Sequence, residues 1–157
     1  MKKLKTIIAF TVMTITAMIS KAQVADTKNI TLEAAKKVAT EAIKYAKANN
    51  APGGAIAIVD AGGNLVYLEK LDGTFAAASE VAAKKANTAA LFKAPSSKLE
   101  NAINGGRDAL ITVGHTFLQG GIPIVYQNQV IGAIGVSGSA SAQQDEDMAN
   151  AGAKVSL

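Results

Sequence analysis

Gly120-Gly121-Ile122-Pro123-Ile124-Val125-Tyr126-Gln127-Asn128-Gln129-Val130-Ile131-Gly132-Ala133-Ile134-Gly135-Val136-Ser137-Gly138 is the stretch on which the fold turns. Two β-rich runs, Ile122–Tyr126 and Val130–Val136, flank a short polar turn and read as a hairpin. Pro123 has no N–H to give to a ladder, so it belongs at a strand start or on an edge strand. A second pair of runs lies upstream, Ala55–Asp60 and Leu65–Lys70 around Ala61-Gly62-Gly63-Asn64, and predicts a second hairpin. Asp60 is placed to cap that turn with its carboxylate, as Asx residues do. A catalytic Asp60 is the rival reading.

The segments between the hairpins read as helices. After Thr31, a good N-cap, apolar residues recur at helical spacing from Leu32 through Ala35, Val38, Ala42 and Ala46, and Asn49-Asn50 then Pro52-Gly53 stop the run. This predicts a helix over 32–49. A second helix is expected over 76–93, with Val81, Lys84, Lys85, Thr88, Leu91 and Phe92 on neighbouring turns. Pro95 ends it. Ser96 or Ser97 is expected to cap a short helix through Ile103, closed by Asn104-Gly105-Gly106. A brief strand is expected at Ala109–Val113, and a strand or strand entry at Thr116–Leu118. Ser141 to Gln144 has capping-box spacing, with Gln144 reaching back to the Ser141 amide, and opens a last helix running to about Lys154. Helix, hairpin, helices, hairpin, helix is the order of an α+β (loosely α/β) sandwich, an antiparallel sheet flanked by helices.

The N-terminus reads as an export signal. Lys2, Lys3 and Lys5 precede the uncharged run Thr6–Ile19, and Ser20-Lys21-Ala22 presents small residues for cleavage before Gln23. The run is short for a membrane span and lacks a stop-transfer pattern. Residues 1–22 are therefore expected to be a signal peptide and 23–157 one domain, periplasmic or secreted, with no membrane association after cleavage. The 157-residue chain carries 16 basic and 12 acidic residues and no cysteine. Losing Lys2, Lys3, Lys5 and Lys21 leaves twelve of each sign, so the basic balance belongs to the export signal. A nucleic-acid-binding patch is unsupported. Without Cys there is no disulfide, lipoprotein anchor or covalent c-type haem site. The abundance of Ala and Gly keeps the area buried by each element modest, which favours a homo-oligomer.

His115 is the only histidine. A neutral imidazole can offer a nitrogen to iron, and equally a lone loop histidine makes an ordinary hydrogen bond. Gly120 and Gly121 can supply turn geometry or let a planar ligand approach the backbone. Gly132, Gly135 and Gly138 close a hairpin strand rather than open a βαβ unit, so they are not a dinucleotide fingerprint. Gly138, Ser139 and Ser141 lead into a helix N-terminus whose N–H groups suit a propionate or small carboxylate, or are simply capped by Ser141. Asp145, Glu146 and Asp147 complement the dipole of that helix, and as paired carboxylates they read as a general acid and base. Lys84 and Lys85 read as a solvated face, with one able to meet a ligand carboxylate.

Thr31-Leu32-Glu33-Ala34-Ala35, Ala57-Ile58-Val59-Asp60-Ala61-Gly62-Gly63-Asn64-Leu65 and Lys85-Ala86-Asn87-Thr88-Ala89 with Phe92 are followed in order by Gly120-Gly121-Ile122-Pro123, Gly132-Ala133-Ile134-Gly135-Val136-Ser137-Gly138 and Gln144-Asp145-Glu146. Together, over Ile30 to Ala153, these resemble the GlcG/HbpS-like haem-binding protein family. The resemblance implies a profilin-like fold and homo-oligomers, octamers in the haem-binding members. It implies haem as cofactor in exported members, with redox-sensing, peroxide-linked or haem-degrading roles. It also places the iron ligand just before the Gly-Gly-x-Pro turn, where His115 stands in place of a Thr. Other relatives are cytoplasmic proteins linked to glycolate use or domains joined to corrinoid adenosyltransferases. The expected haem site is thus His115 on iron, with Phe117, Leu118, Gly120 and Gly121 at the porphyrin and Lys85 or Gly138, Ser139 and Ser141 at a propionate. The alternatives are a small hydroxy- or oxo-acid site of Lys85, Asp145 and Glu146, and a structural oligomer without ligand.

Overall fold

The computed structural model describes residues 26–157, and the expected signal peptide over 1–22 lies outside the described residues. The elements run α1 (Leu32–Ala48), β1 (Ala55–Asp60), β2 (Leu65–Lys70), α2 (Ala78–Phe92), α3 (Ser96–Asn104), a 3-10 helix (Asp108–Val113), β3 (Gly121–Tyr126), β4 (Gln129–Ser137) and α4 (Ala142–Ala153). The four strands form one antiparallel sheet in the order β2-β1-β4-β3. The α+β expectation holds.

Local chemistry sets the two hairpins. Asp60 Oδ1 accepts from the Gly62 and Asn64 amides, both at 2.9 Å, which fixes the first turn. These bonds, with those from the Asn64 side chain and Gly63, outweigh partial desolvation and hold the Asp60 carboxyl below its ordinary range. In the second turn Gln127 and Asn128 have φ of 47° and 61°, the left-handed pair that matches the twist of the flanking strands. Pro123 lies on the edge strand β3, as its missing N–H demands.

The two faces of the sheet are packed with different materials. On one, Ile56, Ile58, Ile122, Ile124, Ile134 and Val136 meet Val38, Ala39 and Ala42 of α1 and Met148 and Ala149 of α4. Each fully buried Ile or Val contributes about 1.5–3 kcal/mol. On the other, α2 lies on Ala55, Ala57, Val59 and Ala133 through Ala78, Ala82, Ala86, Ala89 and Ala90. The buried side of α2 is therefore its alanine row together with Lys85 and Thr88, while Leu91 is exposed and Val81 only half-buried. Here the helix sits almost backbone on backbone. A Cβ at Gly135 would come 2.1 Å from the Ala82 carbonyl oxygen, and one at Gly121 would come 2.3 Å from that of Lys85.

Four local expectations are corrected. Ala109–Val113 belongs to the 3-10 helix and not to a strand. Thr116–Leu118 lies outside the sheet, and its backbone is bonded by side chains from α2 and α3 instead. Ser96 does not cap α3: Pro95 stands at the N-cap, and Ser96 is the first helical residue with its hydroxyl turned away. At α4, Ser141 Oγ does accept from the Gln144 amide at 3.1 Å, but Gln144 returns to the Ala140 amide rather than to that of Ser141.

Candidate functional site

The residues singled out from the sequence fall into two places of opposite character. The first is a closed polar node beneath the Gly120 turn. Lys85 projects from the sheet-facing side of α2, and its ammonium is buried. Its Nζ donates to Asp145 Oδ2 and to the Val136 carbonyl, both at 2.9 Å. Asp145 stands in the first turn of α4, and its other oxygen accepts from the Ser139 amide at 3.0 Å and the Ser139 hydroxyl at 2.6 Å. Among the described residues no buried side-chain nitrogen or oxygen lacks a partner.

This node accounts for several candidates at once. Gly120, at φ 120°, would place a Cβ 3.0 Å from Lys85 Nζ and 2.7 Å from the Val136 oxygen. Gly121 packs on α2. The Gly-Gly pair therefore admits the protein's own helix and ammonium rather than a planar ligand. At the start of α4 the Ser139, Ala140 and Gln144 amides are taken by Asp145, Gln144 and Ser141. Lys85, read from sequence as solvated, is buried and neutralised, so the small-acid arrangement of Lys85, Asp145 and Glu146 presents no free cation to a carboxylate. Glu146 points elsewhere, accepting from Ser97 Oγ at 2.6 Å and from the Gln119 side-chain amide.

The second place is open. Glu100, Ile103 and Asn104 of α3, Ile111 of the 3-10 helix, and His115, Phe117 and Leu118 line a groove of about 320 Å³, within the usual range for small-molecule sites. Sequence reading nominated His115, Phe117 and Leu118, and the fold brings them together. It did not find Ile103, Ile111, Glu100 or Asn104, which come from α3 and the 3-10 helix. The His115 ring meets Phe92 edge-to-face, with centroids 5.3 Å apart and planes at 85°, and Phe92 meets Phe117 the same way at 5.6 Å. Such contacts hold an imidazole without using its nitrogens. Among the described residues His115 makes no side-chain hydrogen bond, so its lone pair is not engaged by a protein donor. Ile111 (64% exposed) and Leu118 (48%) carry apolar surface to the groove's edge. A larger surface groove of about 490 Å³ beside α1 is lined chiefly by Glu33, Lys36, Lys37, Thr40 and Glu41, and offers neither imidazole nor aromatic wall.

An apolar, aromatic-walled groove with one unengaged imidazole suits a flat, largely apolar ligand that accepts one axial nitrogen, and the donor set fits haem. Among the described residues no cluster of three or more His, Cys, Asp or Glu is gathered for a bare metal ion. Fold and groove together define a small α+β sandwich with a mostly apolar groove on the α3 side. The chain belongs to the family described as "Haem degrading protein HbpS-like", whose profile matches residues 30–154.

It is 41% identical to Protein GlcG of Escherichia coli K12 over 83 residues, 52% of this chain and 62% of GlcG, so that match spans less than two thirds of the relative. Among solved structures, a double mutant of HbpS from Streptomyces reticuli superposes with a TM-score of 0.76 at 32% identity, over 85% of this chain and 90% of that one. PduOC, solved as a haem complex, shares the fold with a TM-score of 0.70 at 23% identity, over 80% of this chain and 93% of that one.

Proposed function

We propose that this is an exported haem-binding protein in which His115 ligates the iron, with Phe117, Leu118, Ile103 and Ile111 against the porphyrin. The observation that carries the reading is the chain's only histidine, set at a mostly apolar groove beside Phe92 and Phe117 and, among the described residues, without a side-chain hydrogen bond. The haem association of the HbpS-like family supports it. Bound haem would supply redox-active iron. The chain's part is to present one imidazole, cover ring surface with apolar side chains and limit water on that side. The large apolar residues exposed around the groove, Ile111, Val113 and Leu118, favour a homo-oligomer, an octamer in our reading, in which a neighbouring copy shields this surface. Export to the periplasm or medium by the 1–22 signal completes the proposal, and storage, redox sensing and haem degradation are the roles it serves.

Haemin titrated into the mature protein tests it. A saturable Soret band that His115→Ala abolishes or shifts is the expected result. An identical band in both proteins removes His115 from the iron, and no saturable band removes haem altogether. Light scattering of the same samples reads the subunit number.

A further inference from the structure

The segment that carries His115 has no secondary structure of its own. Residues 114–120 run between the 3-10 helix and β3 outside the sheet. A segment without helix or ladder leaves its backbone groups to find other partners, and here three side chains supply them. Thr88 Oγ1, in the middle of α2 and fully buried, donates to the Thr116 carbonyl at 2.8 Å. Ser96 Oγ, at the start of α3 and fully buried, donates to the Leu118 carbonyl at 2.7 Å and accepts from the Gly121 amide at 2.8 Å. Glu100 Oε2, one turn further along α3, accepts from the Gln119 amide at 2.7 Å.

The bonded groups fall at 116, 118, 119 and 121, and His115 adjoins the first of them. Thr88 Oγ1 also lies 3.0 Å from the Lys84 carbonyl, the ordinary acceptor of a helical threonine, so its single O–H has two acceptors within reach and the nearer is on the segment. Ser96 likewise departs from the common role of a serine at a helix start, since its hydroxyl bridges two backbone groups of another segment instead of capping its own helix.

We propose that Thr88, Ser96 and Glu100 are the positioning residues of the His115 imidazole: they suspend the 116–121 backbone from α2 and α3 and so hold the ring in the groove against Phe92. As a statement about haem this rests on the function proposed above, but the placement of the ring can be read without any ligand. Because His115 is the only histidine, its ring C–H signals are identifiable directly in a proton NMR spectrum, and the Phe92 ring 5.3 Å away is expected to displace them from free-histidine values.

The experiment compares apo wild type with Thr88→Val, Thr88→Ser, Ser96→Ala and Glu100→Ala, and then titrates each with haemin. The expected result is that Thr88→Val and Ser96→Ala return the imidazole signals toward free-histidine positions while the sheet amides keep theirs. Thr88→Ser, which keeps the hydroxyl, retains the wild-type imidazole signals. Haemin binding by Thr88→Val weakens roughly tenfold with a displaced Soret band, and Thr88→Ser restores it. Imidazole signals unmoved in folded Thr88→Val and Ser96→Ala overturn the proposal. Should either variant fail to fold, Glu100→Ala decides, since Glu100 is only half-buried: an unmoved imidazole there also overturns it. A Soret band indifferent to His115→Ala would refute iron ligation, while the ring signals of the apo variants would still judge the positioning.

Discussion

The Lys85 node and the His115 groove both lie against α2, yet one is closed and the other open. Lys85 and Asp145 are buried charges, and every polar atom they carry is met by the other, by Ser139 or by the Val136 carbonyl. The groove gathers Phe117, aliphatic side chains, Glu100 and Asn104 around an imidazole that makes no side-chain hydrogen bond among the described residues. A fully satisfied polar cluster fixes geometry and leaves nothing over for a ligand, whereas an imidazole not engaged by a protein donor, beside apolar walls, can accept one.

Breaking the closed side should give the largest effect. Lys85→Met or Asp145→Ala leaves an unpaired charge in the interior and is expected to cost about 3–5 kcal/mol in urea denaturation. The double replacement Lys85→Met with Asp145→Leu should recover most of that loss. Single variants that lose under about 1 kcal/mol would mean that the node is as accessible as the groove, and the contrast would fail.

Gly135→Ala comes next. Its Cβ would strike the α2 backbone at Ala82 and Ala86, and a helix cannot yield there as a side-chain tip can. A loss of about 1–3 kcal/mol or more is expected in thermal or chemical melts. Because α2 carries Phe92 as well as Lys85, this variant should disturb node and groove together.

His115→Ala should separate them. Stability should stay within about 0.5 kcal/mol of wild type, since the ring is partly exposed and makes no side-chain hydrogen bond among the described residues. Haemin affinity should fall at least about tenfold, equivalent to roughly 1.4 kcal/mol. A melt that drops as far as that of Lys85→Met would make the ring a structural residue.

The smallest effect is expected at Asp60, in the β1–β2 turn. Asp60→Ala removes the turn bonds and should cost about 0.5–1.5 kcal/mol. Since the folded carboxyl lies below its ordinary value, its contribution is present above the unfolded pKa near 3.9 and fades as pH falls through the folded value. A pH series of urea melts should show a shallower acid limb in Asp60→Asn than in wild type.

Legibility in the sequence followed the range of the interactions. The hairpins and helices were readable because their signals are local: Asp60 with Gly62 and Asn64, Gln127-Asn128, Thr31 before α1, Ser141 before α4. The Lys85–Asp145 pair spans sixty positions, so no local pattern could show that a lysine on a helix read as solvated would be buried. Thr116–Leu118 looked like a strand because its residues suit one, but its partners are hydroxyls 22 and 28 positions away. His115, Phe117 and Leu118 were found because they are consecutive or nearly so. The α3 wall of the groove was missed because Glu100, Ile103 and Asn104 look like an ordinary helix until the 3-10 turn folds back beside them. The alanine row of α2 was the one available hint that the helix would press close enough to bury Lys85.

Pro123 carries a consequence for how copies of this chain can meet. The Val136 amide bonds to the Gly120 carbonyl, so by antiparallel alternation the nitrogens of Gly121 and Pro123 face away from β4. Ser96 takes the first, and the second bears no hydrogen. The outer rim of β3 is thus poor in donors for an incoming strand, a built-in guard against open-ended stacking of sheets into fibrils. At this edge, contact between copies is turned from strand pairing toward side-chain surfaces, while β2 remains the sheet's other edge.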